Sequence, residues 1–504
     1  MARSPCFLRS LPPPTIRPTT RRHARPLRPR TSASSAPTST RTAHPWRIVP
    51  SIESKGSQSY RLPALPQPSD PFRSHRIGRG LAVALAVCLL ACVRDDLPQG
   101  TENVAPPSGA GDRPSVGEPS AARPRHGRGL WILAEGTVRV LEDPARVEPL
   151  LDRAERLGAS DLFVQVYRGG RAFYPAAPFV ERAAFVDLAV SDRFGDLLAA
   201  AHARNLRVHA WVNVLSLSTR RDARLIRDLG PSAILVDRVG RSLLDYPDFD
   251  LPEPDRRYYR MGTRGLYLDP ASIAVRERLR ATFRDLVERY PRLDGLHLDY
   301  IRHPGVLPFS PGSRFGVGLD FGYGDEARAR YRAETGNPDP IEGASPGVVR
   351  NANDWDRWRR RQVTELVSAI SSDVHAARPG LILSAAVIPY VDRAYLSLAQ
   401  DWRQWLESGA LDLAIPMIYT RDDRLFRYQL ETFAGWADAE RIWPGIGVWL
   451  FARDPERARG QLALVRQNGF PGEVLFSDDA LAGAPGLLDR LARESQTPPV
   501  VALP

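Results

Sequence analysis

The chain has 504 residues, 43% of them hydrophobic, which is ample for one large barrel or two ordinary domains and too apolar for a chain disordered throughout. Its formal net charge of +11 is concentrated at one end: residues 1–92 hold 15 Arg and Lys against two acidic residues, and the remainder carries a net −2. An evenly basic body, the electrostatic footprint of a nucleic-acid binder, is thereby excluded. The cysteines are Cys6, Cys88 and Cys92, so nothing after residue 92 can form a disulfide or a thiolate metal site.

In chain order, residues 1–72 are rich in Arg, Pro, Ser and Thr with no periodic apolar pattern. They read as a disordered extension or as translation from a start codon placed too early. Arg73, Arg76 and Arg79 then precede the apolar run LAVALAVCLLAC (81–92), the order of charged and hydrophobic regions in a signal peptide over 73–92. The run is too short for a stable membrane-spanning helix. Its end, Leu89-Leu90-Ala91-Cys92, resembles a bacterial lipobox, which implies a lipid on Cys92 as the first residue of the mature protein. The Pro/Gly/Ser-rich tract over 93–127 reads as a flexible tether. An exported lipoprotein, membrane-anchored through Cys92 in the cell envelope, is expected. Val93 stands where an Asp often retains lipoproteins at the inner membrane, so in a double-membraned cell the outer membrane is expected.

From residue 128 to 490 short apolar runs alternate with longer helical patterns, predicting repeated βα units on a parallel sheet. Eight runs are present: GLWILAE (129–135), DLFVQVY (161–167), LRVHAWVN (206–213), LDGLHLDY (293–300), LILSAAVI (381–388), LDLAIPMIY (411–419), RIWPGIGVWL (441–450) and GEVLFS (472–477). Helical periodicity fills 143–158, 190–205, 270–290, 353–378, 398–408 and 453–468. This predicts an α/β fold, a (β/α)8 TIM-type barrel with a tail at 491–504. A doubly wound open sheet is the alternative, but no glycine-rich phosphate loop follows any strand. The long insertions follow strand three (214–269) and strand four (305–352), on the side where barrel active sites are built.

Side chains alternate across a strand, and the outer face of a barrel must meet apolar helices. Leu296 and Leu298 therefore point outward, and His297 and Asp299 into the lumen, with Asp299 at the mouth. The same parity turns His209, Trp211 and Asn213 inward on strand three, and Phe163, Gln165 and Tyr167 on strand two. It does likewise for Trp131 and Glu135 on strand one, Met417 and Tyr419 on strand six, and Trp443 and Trp449 on strand seven. Rings, amide and carboxylate converging on one mouth suit a sugar, whose C–H faces stack on rings while its hydroxyls demand directed hydrogen bonds.

Several stretches, taken in order over roughly residues 128–480, resemble the glycosyl-hydrolase-like family ten of bacterial envelope proteins. They are GLW, FVQVYRGGRAFYP, AHARNLRVHAWVN, YLDPASIAVRERL, DGLHLDYIRHP, YRAETGNPDP, WDRWRRRQVTELV, DWRQWLESGALDLAIPMIY and LFSDDAL. The resemblance implies a (β/α)8 protein, often a lipoprotein, that hydrolyses glycan strands, notably peptidoglycan strands stripped of peptides. The sequence departs from the commoner family pattern at Met417, where Gln is frequent, and in GLWILAEGTVRVLEDP after strand one.

Glycoside hydrolysis usually needs two carboxyl groups, one to protonate the leaving oxygen and one to attack the anomeric carbon or activate water. Asp299 is the first, as acid/base or nucleophile; a structural cap for the loop at Tyr300 is the bland reading. Arg302 would tune or orient it, or make a plain loop salt bridge. For the second carboxylate, Glu135, Asp392, Asp422, Asp423 and Asp478 all qualify by position, with Glu135 and Asp392 preferred. Gln165, Tyr167, His209, Asn213 and Tyr419 read as substrate hydrogen-bonding groups, and Trp211 and Trp449 as stacking platforms, with core packing the alternative. Asp269 reads as an N-cap before Pro270, and Trp355 with Trp358 as helix packing. His297 reads as a core histidine; with His209 it lacks a third ligand, so no metal and no cofactor are expected. The expected partners are a polysaccharide and, through Cys92, a membrane. A catalytically inactive sugar-binding barrel and an envelope scaffold are the rival functions.

Overall fold

The structure, a computed structural model, describes residues 126–186, 192–308, 319–345 and 348–495. The expectations for the leader, for Cys92 and for the chain beyond 495 lie outside the described residues. All eight runs form strands: β1 Gly127–Ile132, β2 Asp161–Arg168, β3 Arg207–Asn213, β4 Gly295–Asp299, β5 Ile382–Val387, β6 Leu413–Pro416, β7 Gly445–Gly447 and β8 Gly472–Phe476. They pair in parallel in the order β6-β5-β4-β3-β2-β1-β8-β7. Bridges Ala414–Ile442 and Met417–Gly445 bring β6 to β7 and nearly close the circle, which is the expected eight-stranded barrel.

The crossover helices are α1 Val147–Leu157, α2 Arg193–Ala203, α3 Ile273–Arg289, α4 Ala352–Ala377, α5 Trp402–Glu407, α6 Asp423–Ala434, α7 Pro455–Gln467 and α8 Pro485–Ser495. Their apolar stripes meet the outward residues of the strands, Leu296 and Leu298 among them, in one continuous buried shell. Trp355 and Trp358 of α4 stack at 5.3 Å in a separate apolar cluster with Tyr323 and Tyr331, so they pack as expected.

The two insertions are joined to each other. Tyr259–Met261 from the first pairs antiparallel with Val306–Pro308 from the second, and Ser216–Ser218 pairs with Leu266–Tyr267. Together they build a platform on the C-terminal side of β3 and β4. The helix after the first insertion begins at Ile273, not at Pro270. Asp269 therefore caps the turn before α3, its carboxylate accepting from the Ala271 N–H at 2.8 Å.

At the N-terminal end the lumen is plugged. Trp443 lies across Gly127 and Gly472, and a Cβ at 472 would stand 2.6 Å from its ring. His209 stacks on Phe163 at 4.5 Å, and a Cβ on Gly295, its neighbour in register on β4, would overlap its Nδ1. Gly295 is thus a close-approach glycine that makes room for an imidazole.

An ion pair ties the outer surface of this same end. Arg128 of β1 and Glu473 of β8 are opposite in register, and Arg128 donates to Glu473 at 2.7 Å and to the Leu157 carbonyl at 2.8 Å, while His126 reaches the other carboxylate oxygen. Burial alone would raise the Glu473 pKa, but Arg128 and His126 hold it below the usual carboxylate range.

Candidate active site

Asp299 ends β4 facing inward and is 6% exposed. Its Oδ1 accepts the Tyr300 N–H at 2.7 Å and its Oδ2 the Trp211 indole N–H at 3.2 Å, so backbone and β3 fix the carboxyl from two sides. The sharp turn follows from Tyr300, whose φ of 52° lies in the left-handed region and carries the chain out of the strand. Burial pushes the Asp299 pKa up to about 6, against the opposing pulls of Arg302, the two N–H donors and Arg168.

Arg302 does not contact Asp299 by hydrogen bond. It donates to the His303 carbonyl at 3.2 Å and lies over the Tyr300 ring at 5.0 Å, acting on Asp299 through its field. One layer below, the Trp131 indole donates to His297 Nε2 at 3.1 Å. An indole only donates, so Nε2 is the acceptor and Nδ1–H faces Ser384 Oγ at 2.9 Å. Burial and then the field of His209 push His297 well below the ordinary histidine range, which fits this neutral tautomer. His297 is a satisfied core histidine.

The upper lumen holds the remaining inward groups together. Gln165 donates to Asn213 at 3.2 Å and accepts from the Ala134 N–H at 3.3 Å, while Asn213 stands opposite Asp299 in register. Tyr419 sits against Trp449 at 4.8 Å and Phe476 at 5.7 Å. Its hydroxyl is buried with no hydrogen-bond partner in the described structure. Burial, and then Asp299 and Tyr300, push that phenol well above its ordinary pKa. Trp449 is 42% exposed on the turn Val448–Phe451, since β7 stops at Gly447 rather than continuing through it as expected.

Four sequence expectations are corrected. Tyr167 does not face the lumen: a register shift between Gln165 and Tyr167 on β2 breaks the alternation and turns Tyr167 outward, where it packs edge-on against Phe283 of α3 at 5.7 Å. His209 does face inward, but in the plugged end, with Nε2 2.9 Å from Asp161, too deep to meet a substrate. Trp443 fills that same end rather than the mouth. Asp392 is exposed in the first turn of the helix Val391–Leu398, with its side chain outside the cleft described below.

Of the other carboxylates, Asp422 caps α6, Asp423 pairs with Arg457 at 3.0 Å, and Asp478 is held by both nitrogens of an Arg153 fork at 2.7 Å. Glu135 remains beyond the end of β1, gripped by Arg171 at 2.5 Å and Arg168 at 3.4 Å. These two arginines were not singled out in the sequence, although YRGGR carries the signal. Gly169 and Gly170, with φ of 59° and 76°, make a two-residue hairpin turn that sets Arg168 opposite Arg171. Arg168 also acts on Asp299, so one guanidinium links the two carboxylates.

A cleft of about 260 Å³ opens between the insertion platform (Thr263, Gly305, Leu307) and the loops after β5 and β6 (Tyr390, Arg393, Met417, Tyr419), with Arg302, three residues after Asp299, in its wall. Among the described residues no group of three or more His, Cys, Asp or Glu side chains is placed to hold a metal ion.

Comparison with known proteins gives a family match: the profile described as Glycosyl hydrolase-like 10 covers residues 126–449. The chain is 25% identical over 381 residues to the glycosyl hydrolase DigH of Escherichia coli (strain K12), covering 67% of this chain and 74% of that protein. It is 24% identical over 310 residues to the glycosyl hydrolase YngK of Bacillus subtilis (strain 168), covering 57% and 51%. Among solved structures, an alpha-L-fucosidase isoenzyme 2 from Paenibacillus thiaminolyticus matches with a TM-score of 0.49 and 14% identity over 74% of this chain and 49% of that one. A beta-galactosidase from Bacillus circulans sp. alkalophilus matches with a TM-score of 0.47 and 13% identity, over 70% and 50%. The chain spans about half the length of these two solved structures.

Proposed function

We propose that this chain, which belongs to the glycosyl hydrolase-like 10 family, hydrolyses an envelope polysaccharide, namely peptide-free peptidoglycan strands, with Asp299 and Glu135 as its two carboxyl groups. That it is a glycosidase follows from the family; the substrate and the residues are our reading. The observation that carries it is Asp299, a buried carboxyl at the mouth end of β4 with its pKa raised to about 6, three residues before the Arg302 that lines an open cleft together with Tyr390 and Tyr419. A carboxyl of that proton affinity holds its proton in mildly acidic solution and delivers it to a leaving oxygen. Glu135 then serves the anomeric carbon, directly or through water. Trp211 and the Tyr300 N–H hold Asp299 in place, while Tyr419, Gln165 and Asn213 offer polar groups to the sugar and Trp449 a stacking face.

The test is reducing-end release from amidase-stripped peptidoglycan strands by protein lacking residues 1–92, with Glu135→Gln beside the wild type. The variant is expected to lose roughly 100-fold in kcat, the lower end for a positioned acid or base. Release at the wild-type rate by Glu135→Gln would remove Glu135 from the mechanism. Binding of strands by the wild type with no release would turn the reading toward a sugar-binding barrel.

The leader supports an envelope location, with Cys92 carrying the lipid. Cells fed an alkyne-tagged palmitate should label the full chain and not Cys92→Ser; equal labelling of both would refute the anchor.

A further inference from the structure

The cleft that Arg302 lines also has a ring at its lip. Tyr390, from the loop after β5, is 44% exposed there. A lone exposed ring is ordinary on a protein surface, but this one is fixed by its backbone. The Ile388 N–H donates to Gln400 Oε1 at 2.9 Å and the Ile388 carbonyl accepts the Trp402 indole N–H at 3.1 Å, and both Gln400 and Trp402 are buried. Pro389 then restricts the residue before it and fixes its own φ. Tyr390 follows as the N-cap of the helix Val391–Leu398, its carbonyl accepting the Ala394 N–H at 2.8 Å. The far bank is tied to this helix as well: the His303 N–H donates to the Leu398 carbonyl at 2.8 Å, and a Cβ on Gly305 would stand 3.1 Å from the Leu398 side chain. The cleft is therefore formed before any ligand arrives, and ordering the ring costs little on binding.

At about 260 Å³ the cleft falls short of the roughly 300–1,000 Å³ of pockets that enclose a whole small ligand, and it has room for about one sugar unit. Tyr419 lines the same cleft, feels the charge of Asp299 and sits against Trp449 at 4.8 Å, itself 42% exposed. The chain after β5, β6 and β7 thus carries Tyr390, Tyr419 and Trp449 in that order around the rim, with an open ring at each end. We infer that Tyr390 is an outer subsite: its ring stacks on a sugar unit of the same strand, beyond the unit cleaved at Asp299, so that the enzyme selects long strands over short ones. The inference rests on the glycosidase reading above and says what length of strand that site takes. A sugar offers C–H faces to a ring and needs no charge there. A fragment that reaches Asp299 but not Tyr390 forgoes the contact, so affinity rises with length until the ring is covered and then levels.

The experiment measures affinity and hydrolysis together on the full chain as wild type, Tyr390→Ala, Tyr390→Leu and Tyr390→Phe, each with a thermal melt. The probes are peptide-free peptidoglycan oligosaccharides: a disaccharide, a tetrasaccharide and an octasaccharide. Wild type is expected to bind the octasaccharide about 10-fold tighter than the disaccharide, the upper end for one ring-stacking contact. Tyr390→Ala and Tyr390→Leu should compress that gain to within about threefold, through Kd and KM more than kcat, and Tyr390→Phe, which keeps the ring, should retain most of it. The inference is overturned if wild type binds all three lengths alike, if the gain survives in Tyr390→Ala and Tyr390→Leu, or if Tyr390→Phe loses as much as Tyr390→Ala. Should Tyr390→Ala melt early, Tyr390→Leu, which keeps an apolar side chain of some bulk, decides. Length-selective binding that depends on Tyr390 but brings no cleavage keeps the subsite and sinks the hydrolase reading; cleavage with one kcat/KM for every length does the reverse. Failure to bind at any length overturns both.

Discussion

Asp299→Asn is expected to lower kcat on peptide-free strands about 10⁴-fold, the upper end for loss of a positioned acid, while the protein stays folded. The amide keeps the shape of the carboxyl and an oxygen for the Tyr300 N–H, but has no proton to deliver. In the wild type, kcat should fall as pH rises through about 6, the value to which burial lifts Asp299. The sign for stability is the same. A carboxyl whose folded pKa lies above its unfolded one binds more protons when folded, so stability falls as pH rises between the ordinary carboxylate value and about 6. From 3.8 to about 6 the cost is of order 3 kcal/mol by the usual conversion of pKa into free energy. Asp299→Asn escapes it, so its melting temperature should gain on wild type between pH 4 and pH 7. Asp269, also pushed up to about 6 by burial, titrates in both proteins and cancels from the comparison. Equal turnover by variant and wild type would show that Asp299 only caps its loop; a melting difference flat with pH would show that it is not buried as a charge.

Glu473→Ala is the largest expected loss of stability, about 3–5 kcal/mol, the usual result of removing one partner from a buried ion pair. Glu473 is fully buried, so truncation leaves the Arg128 guanidinium in a dry space without its carboxylate. Urea denaturation of the two proteins measures it; a loss under about 1 kcal/mol would place the pair among those that contribute nothing net. Its pH dependence has the opposite sign to that of Asp299. A carboxyl held below its ordinary value contributes stability above that value and loses it as acid protonates it. The gap between Glu473→Ala and wild type should therefore narrow below about pH 4.

The barrel was legible because eight apolar runs of the right length alternate with helical periodicity, and parity alone placed Asp299, His297 and Trp211 inside. Parity failed at Tyr167 because a register shift changes which face follows, and no residue type in QVY announces one. It succeeded on direction and failed on depth at His209. Whether an inward residue meets solvent depends on its layer, and that layer was marked only by Gly295 across the strand pair and by Trp443 from far along the chain. Asp392 stood at the right strand end, but its helix begins at Val391, which leaves the carboxylate outside the cleft. The sequence preferred Glu135 to Asp478 by position alone; that Asp478 is already held was not legible, because the Arg153 that holds it lies 325 positions away.

The plugged base has a consequence for how a long chain is handled. With Trp443, Phe163 and His209 stacked beneath Trp131 and His297, the barrel is a well and not a tunnel. A polymer cannot thread it. On the proposed function, the strand would lie across the rim, dip one unit toward Asp299, and both products would depart by the opening through which the strand arrived.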